Sequence, residues 1–471
     1  MTDSTLAQQL AEFASATTFD DLPGDVVDSV GLRVLDTLGI AVAATSLETS
    51  TAAIAWAREQ GGNAVASAVG VQENLPPTLA AFVNGVLAHS LDFDDTHLPS
   101  VLHPSASVVP AALAAAQQHG ANGRDLVRGI ALGLEVCVRL GMAGFDPETQ
   151  NSVFFEHGQH ATSICGAMGG AVAASVIGGA PAEGIVDSLG IAASMAAGII
   201  EANRTGGTVK RVHCGWAAHS AVSAAGLARH GITGPPTVLE GRFGFFQAWL
   251  HQAGREREIA EGLGSNWAAP GLFVKPYPAN HFTHAAVDAA AAMRNRGIAP
   301  ADVRRYVLGV PAANLRTIGE PIEVKRTPQT GYMAQFSGPY AIAVGMLGGG
   351  GLGAVLDDYT DEKATSDERR EIMARVDVVP DDQCDAIFPH QFPAVLTVHL
   401  EDGSTVVEEV LTTRGGPERP LSFEDVRAKF SANVGELLGA SERDAFATKC
   451  GSLADIEEIG SFLEPVRSLR S

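Results

Sequence analysis

Residues 161–177, with the sequence ATSICGAMGGAVAASVI, give the first expectation about the fold. Apolar residues recur there at three- and four-residue spacing, which is typical of a helix. Alanine and glycine dominate the stretch from Gly166 to Ala174, and such small side chains let helix axes approach closely. The segment therefore predicts a compact bundle of many helices.

The same helical spacing extends from residue 4 to about residue 260. It recurs in Val26–Ala44, Leu79–Ser90, Pro110–His119 and Arg124–Leu140. Turns that contain glycine, proline or asparagine separate these segments, as expected at helix ends.

Near Leu272 the pattern changes to one that is typical of strands. Val303–Val310 and Val395–Leu400 alternate apolar and polar residues, and Asp402-Gly403 predicts a hairpin turn into Thr405–Leu411. Helical segments lie between these strands, so this part of the chain is predicted to be an α+β region.

The C-terminal tail returns to a helical pattern, and we expect it to rejoin the N-terminal helices. The predicted fold class is mainly α. A large all-helical domain would comprise residues 1–268 and 411–471, and a smaller α+β domain would comprise residues 269–410.

Composition and charge exclude several classes of protein. Charged residues make up 18% and apolar residues 46% of the 471 residues, which excludes a disordered acidic chain. The formal net charge of −22 argues against nucleic acid as a partner, although a local group of cations can still bind a small anion. A large chain with so few charges is expected to bury surface in an oligomer.

Cysteine usage and the absence of leader-like segments predict a cytoplasmic protein. The five cysteines are scattered without a CxxC pair, which indicates reduced thiols rather than disulfides or a cysteine-ligated metal. The first 19 residues lack the basic start and apolar run of a signal peptide. The apolar stretches near 166–180 and 185–200 are too short or too interrupted to span a membrane.

Four segments combine histidines with other ionisable groups. Twelve of the fourteen histidines lie between His89 and His284. The four segments are LDFDDTH at 91–97 with His103 following, EHGQH at 156–160, TVKRVH at 208–213 and KPYPANHFTH at 275–284. Any one of them could be an ordinary loop or buried histidine, but the four segments together favour an acid–base site.

A metal site is an alternative for these residues. The candidate ligands are His157, His160, His281, His284, Asp92, Asp94 and Asp95. The two HxxH pairs lack the glutamate of an HExxH motif, and no phosphate-binding motif accompanies the carboxylates. We therefore predict no required metal.

These segments resemble the MmgE/PrpD family, which includes 2-methylcitrate dehydratase, cis-aconitate decarboxylase and iminodisuccinate epimerase. The resemblance runs from about residue 5 to 465. The matching stretches include LDFDDTH at 91–97, HPSASVVPAALAAA from His103, TVKRVHCGWAAHSAVSAAGLARHGITGPPTVLEGRFGF at 208–245, KPYPANHFTHAAVDAA at 275–290 and QFSGPYAIA at 335–343. It implies an all-helical domain with an α+β lid domain, a homodimer, and no metal or organic cofactor.

The resemblance also implies which residues form the site. The implied catalytic residues are His103, His160, Lys210, Lys275, Tyr340 and Asp92. The implied substrate-binding residues are Thr96, Arg211, His213 and His281. His157 remains an alternative to His160.

Chemistry suggests roles for these residues. Dehydration, decarboxylation and epimerisation of a polycarboxylate all accumulate negative charge beside an existing carboxylate, so cations must face that charge. Lys210, Lys275 and His213 suit this task, and their clustering is expected to lower the pKa of at least one lysine. His103 or His160 would move the proton, and Tyr340 or the other histidine would protonate the product.

We therefore predict a cofactor-independent lyase or isomerase that acts on a small di- or tricarboxylate. Dehydration of 2-methylcitrate is the first choice, with decarboxylation of cis-aconitate and epimerisation of iminodisuccinate as alternatives. A helical carboxylate-binding scaffold without turnover is the alternative from another class.

Overall fold

The structure is a computed structural model that describes residues 4–470, except for the side chain of Arg204. About 58% of it is helix and 9% is strand, so the predicted mainly α fold class is confirmed. The chain forms two compact units. The helical unit comprises the residues up to Phe273 and those from Val434 onward, and the mixed unit comprises Val274–Asn433.

The helical unit consists of helices with two short β-hairpins. Its elements before the mixed unit are α1 (Leu6–Ala16), α2 (Gly24–Ala43), α3 (Glu48–Gln60), β1 (Ala66–Ala68), β2 (Val71–Leu75), α4 (Pro77–His89), α5 (Ser105–His119), α6 (Gly123–Ala143), β3 (Phe145–Asp146), β4 (Asn151–Ser152), α7 (Val153–Glu156), α8 (Ala161–Ile177), α9 (Ala182–Met195), α10 (Ala202–Thr205), α11 (Val212–Arg229), α12 (Phe245–Leu250) and α13 (Glu256–Ala260). A 3₁₀ turn at Val209–Arg211 leads into α11.

Helix α8 lies at the centre of the helical unit. All 17 of its residues are buried, and α5, α6, α9 and α11 pack around it. Glycine permits the closest approach: a Cβ atom on Gly169 would lie 2.5 Å from the carbonyl oxygen of Gly133 and 2.6 Å from Cβ of Cys137. The Gly/Ala-rich sequence therefore forms the tightly packed helix that it predicts.

The mixed unit is built on a four-stranded sheet. Its elements are α14 (His284–Asn295), β5 (Val303–Val310), α15 (Ala312–Ile318), α16 (Ile322–Arg326), α17 (Gly331–Ala334), α18 (Gly338–Leu347), α19 (Asp361–Ala364), α20 (Asp367–Met373), β6 (Val376–Pro380), α21 (Asp382–Ile387), β7 (Ala394–Leu400), β8 (Thr405–Val410) and α22 (Phe423–Val434). The strand order is β6-β5-β7-β8, with β5 parallel to β6 and antiparallel to β7.

The hairpin predicted at Asp402-Gly403 is present between β7 and β8. Gly403 has a φ of 88°, a backbone conformation that favours glycine. In the register of this hairpin Thr397 pairs with Val407, and α14 and α18 pack together beside the sheet to form the core.

After the mixed unit the chain returns to the helical unit with α23 (Ala440–Gly451) and α24 (Glu464–Arg467). The division between the units falls after Asn433, whereas the sequence pattern places the return at residue 411. All five cysteines are buried and free of disulfides.

Candidate active site

Four histidines in the helical unit lie at the ends of four helices. His89 is the last residue of α4, His103 lies two residues before α5, His160 lies directly before α8, and His213 is the second residue of α11. Their ring centroids are 5.2 Å apart for His103 and His89, 5.4 Å for His89 and His160, and 5.0 Å for His160 and His213. These four residues are called the histidine row below.

The row lies at the N-terminal ends of three long helices. Helices α5, α8 and α11 contain 15, 17 and 18 residues, and each begins beside a member of the row. Backbone N–H groups at a helix start carry partial positive charge, which favours anions. The local field therefore suits a carboxylate substrate in a protein whose net charge is strongly negative.

His103 is held in a defined orientation. Its Nδ1 lies 2.9 Å from the backbone carbonyl oxygen of Asp95. A carbonyl oxygen only accepts, so Nδ1 carries the hydrogen in this tautomer. Nε2 lies 3.9 Å from Oδ1 of Asp92, and Oγ1 of Thr96 lies 3.4 Å from Nδ1. The structure thus places Asp92, Thr96 and His103 together.

His160 and His213 form a direct pair of imidazoles. Their Nδ1 atoms are 3.0 Å apart, so one nitrogen donates a hydrogen and the other must be unprotonated. Burial, followed by the electrostatic interactions with His89 and Lys210, lowers the pKa of His160 well below its usual value. The same causes lower the pKa of His213 to about 4. The pair is therefore neutral at pH 7.

Lys210 completes this cluster with an ion pair to Asp92. Its Nζ lies 3.4 Å from Oδ1 of Asp92, and a quarter of the lysine side chain is exposed. Burial on its own would lower the pKa of Lys210, but the attraction of Asp92 and Asp94 outweighs burial and raises the pKa. The expectation of a lowered lysine pKa is wrong for Lys210, because two carboxylates face it.

The sequence did not indicate His89, and it indicated Asp94 only as a possible metal ligand. Nδ1 of His89 lies 2.7 Å from Oδ2 of Asp94, and both side chains are about 1% exposed. The signal available in the sequence is a histidine at the end of an apolar helix, five residues before an aspartate in LDFDDTH.

Arg33 was also missed, and it supports the loop that carries His103. Its guanidinium donates to Oδ2 of Asp95 at 3.1 Å and to the carbonyl oxygens of Ala269 and Leu272. The Asp95 carboxylate also accepts from the backbone N–H and the hydroxyl of Ser105, at the start of α5. A single arginine inside the apolar segment 26–44 is the signal for such a buried partner.

A metal is the remaining alternative at this cluster. Ligand atoms of Asp92, Asp94 and His103 lie within 4.8 Å of one another. The ammonium group of Lys210 already pairs with Asp92, and Nδ1 of His89 lies 2.7 Å from Oδ2 of Asp94. We therefore assign no metal ligands.

His157 and Arg211 make their observed side-chain contacts outside the histidine row. His157 is exposed and its ring lies 5.8 Å from that of His251, so His160 rather than His157 belongs to the row. Nη1 of Arg211 donates to Oγ1 of Thr49 on α3 at 3.1 Å.

Three predicted site residues belong to the mixed unit. Lys275 is buried, and burial together with the charge of Lys275 lowers the pKa of His284 to about 3. The ring of His281 lies 4.7 Å from that of His284. Tyr340 lies in the core, where its hydroxyl donates to the carbonyl oxygen of Asp358 at 2.5 Å and burial raises its pKa to about 12.

Family models match most of the chain. The MmgE/PrpD N-terminal domain matches residues 8–258, and the MmgE/PrpD C-terminal domain matches residues 277–452. The chain belongs to the MmgE/PrpD family. None of the helices in the described residues of this family member is long and apolar enough to cross a bilayer.

Curated relatives of this MmgE/PrpD chain include cis-aconitate decarboxylases. This chain is 31% identical to the cis-aconitate decarboxylase of Homo sapiens over 437 residues, which cover 90% of this chain and 87% of the relative. It is 31% identical to that of Mus musculus, over 90% and 86% of the two chains. Identity to the enzyme of Aspergillus terreus (strain NIH 2624 / FGSC A1156) is 25%, over 99% and 97%. The chain is an enzyme of the lyase class.

Proposed function

We propose that this lyase decarboxylates cis-aconitate to itaconate without a metal or organic cofactor. The observation that carries the proposal is the likeness to cis-aconitate decarboxylases along about nine-tenths of the chain, at 31% identity. Dehydration of 2-methylcitrate was the first choice from the sequence motifs, but no observation on this chain favours dehydration over decarboxylation.

The proposed reaction exchanges one carboxylate for one proton. The bond between the methylene carbon and its carboxylate breaks, and CO₂ leaves. The released electron pair forms a new double bond to the central carbon, while the old double-bond pair moves to the carbon beside the remaining terminal carboxylate. A proton then adds to that carbon. The demanding step places negative charge next to a carboxylate, so fixed positive groups must face it.

Lys210 and His103 supply the charge and the proton in this proposal. Lys210 is a charged ammonium beside Asp92, and a substrate carboxylate that approaches it also meets the starts of α8 and α11. His103 delivers the proton from Nε2, since Nδ1 is committed to the carbonyl oxygen of Asp95. Nε2 lies 3.9 Å from Oδ1 of Asp92.

Tyr340 is left out of the proton transfer. Its hydroxyl hydrogen is donated to the carbonyl oxygen of Asp358, and its raised pKa opposes any role as an acid. Lys275 and His281 in the mixed unit, and Thr96 and Arg211 in the helical unit, stay proposed substrate contacts. The homodimer and the cytoplasmic location also stay proposals, and light scattering tests the first.

Proton NMR in heavy water tests the proposed reaction. Purified protein is incubated with cis-aconitate in the presence of EDTA, with 2-methylcitrate and iminodisuccinate in parallel tubes. The expected result is itaconate that carries one deuterium on its sp³ methylene carbon. Conversion of another substrate in place of cis-aconitate would overturn the decarboxylase proposal. Binding without any turnover would favour the scaffold alternative, and activity that EDTA abolishes and one metal restores would contradict the cofactor-free mechanism.

A further inference from the structure

His89, a member of the histidine row, pairs with Asp94, and this pair has no role in the proton transfer described above. Only 2% of His89 and 1% of Asp94 are exposed. Burying an imidazole against a carboxylate costs desolvation free energy, and apolar residues of similar volume often stabilise a core as well. Stability alone therefore gives no reason for this pair.

The surroundings of His89 indicate what the pair does. Its ring lies between those of His103 and His160, with centroid distances of 5.2 and 5.4 Å. Its Nδ1 is committed to Asp94, while Nε2 has no hydrogen-bond partner among the described residues. A charge on this ring would therefore act directly on both neighbouring imidazoles.

We propose that His89, held as an imidazolium by Asp94, is a positioning residue that keeps a second proton off the His160–His213 pair. The inference rests on the proposed function, because the pair is given a task in that reaction. A second proton on the pair would break the hydrogen bond between the two Nδ1 atoms and move His160 away from its place in the row.

The groups that face His160 fit this role. His89 comes from α4, His103 from the segment before α5, Lys210 from the 3₁₀ turn and His213 from α11, and all four disfavour the charged form of His160 after burial itself. The carboxylates of the same loop, Asp92 and Asp94, are engaged with Lys210 and His89. Of the four histidines in the row, His89 has the shortest contact with a carboxylate, because its Nδ1 lies 2.7 Å from Oδ2 of Asp94. This carboxylate can stabilise the protonated ring.

Replacement of His89 by asparagine separates charge from packing. The Asn Nδ2 group can take the place of Nδ1 and donate to Asp94, but the side chain carries no positive charge. With one positive neighbour removed, the acid limb of the kcat/KM profile is expected to move to higher pH by about one unit. His97→Asn is the matched control, because His97 lies in the same loop, its Nδ1 contacts Oγ of Ser100 at 2.6 Å, and burial alone lowers its pKa.

The measurements are the pH profile with the substrate that the wild type converts and the titration of ¹³C-labelled histidines by NMR. We expect the signals of His160 and His213 to titrate at higher pH in His89→Asn, and to be unchanged in His97→Asn. A profile and titration that superimpose on the wild type, or that move to lower pH, would overturn the proposal.

The NMR readout also distinguishes this inference from the proposed function. If the wild type converts none of the substrates, the proposed function fails, but the titration still decides the role of His89. If His89→Asn does not fold, the wild-type spectrum decides: His89 must hold both ring protons at pH 7 while His160 and His213 stay neutral. A neutral His89 at that pH would overturn the proposal.

Discussion

Lys210 and Asp92 face each other with Nζ and Oδ1 3.4 Å apart, and a carboxylate substrate bound there must share the ammonium group. Because the ammonium binds the substrate carboxylate and also faces the larger negative charge of the transition state, Lys210→Ala is expected to raise KM and also to lower kcat. Lys210→Arg should rescue little, since a planar guanidinium does not replace a compact ammonium. Steady-state kinetics checks this, and an unchanged KM in Lys210→Ala would contradict it.

Replacement of His103 should separate chemistry from binding. His103→Ala is expected to lower kcat by about 10²–10⁴-fold with little change in KM, because proton transfer belongs to the transition state. The control is His157→Ala, an exposed histidine outside the row, which should keep wild-type kinetics. Wild-type turnover in His103→Ala would remove the proposed proton donor, and equal melting temperatures would show that both variants fold.

The buried ion pair of Arg33 and Asp95 should contribute strongly to stability. Arg33→Met leaves the Asp95 carboxylate without its cation and is expected to lower the free energy of unfolding by about 3–5 kcal/mol. Arg58→Met breaks the exposed pair with Glu73, whose side chains are about half exposed, and should cost no more than about 1 kcal/mol. Urea unfolding of both variants measures the difference, and equal losses would contradict the prediction.

Two glycine-to-alanine changes should have opposite effects. In Gly169→Ala the new Cβ meets the backbone of Gly133, so we expect a loss of about 1–3 kcal/mol. In Gly226→Ala, within α11, the new Cβ has no atom within 4 Å apart from its chain neighbours and the backbone of its own helix. The gain in helix propensity should therefore stabilise the protein by up to about 1 kcal/mol. Thermal unfolding followed by circular dichroism compares them, and a stable Gly169→Ala would contradict the close packing of α8.

Buried neutral histidines should make the protein less stable in weak acid. The pKa values of His97 and His213 are lowered to about 4, and that of His284 to about 3, mainly by burial. Their ordinary value is 6.5, so below it the unfolded chain binds protons that the native state does not. Stability should therefore be complete above pH 6.5 and fall between pH 6.5 and 4, by up to about 1.4 kcal/mol per pH unit for each group. Urea midpoints that do not change between pH 7 and 5 would contradict this.

Strong local patterns made most of the fold predictable. Helix α8 has the bounds that its spacing predicts, and β5 also coincides with the predicted strand. Strand β6 was not predicted, because its five residues lack a long alternation and its pairing with β5 depends on a distant part of the chain. The sequence pattern ends the mixed unit at residue 410, where the strand periodicity stops. In the structure the mixed unit continues to Asn433, because the residues after the last strand still pack within it.

Site residues could be predicted from the sequence only where they belong to a recognisable motif. Residue types and the family resemblance indicated His103, His160, Lys210 and His213, which the structure brings together. Arg33 was missed because its role depends on a partner 62 residues away, which a helical pattern does not reveal. Tyr340, by contrast, was predicted as an acid from its hydroxyl, and the structure shows that this hydroxyl donates to a backbone carbonyl oxygen in the packed core.

The five buried cysteines can be used to measure local unfolding of the protein. Burial raises the pKa of each thiol, and the thiolate is the form that reacts. A thiol reagent can therefore label a cysteine only while its surroundings are open, so the labelling rate measures local unfolding. Labelling of Cys165 measures the opening of α8, labelling of Cys384 that of the mixed unit, and labelling of Cys450 that of the C-terminal helices. No cysteine has to be introduced for this experiment.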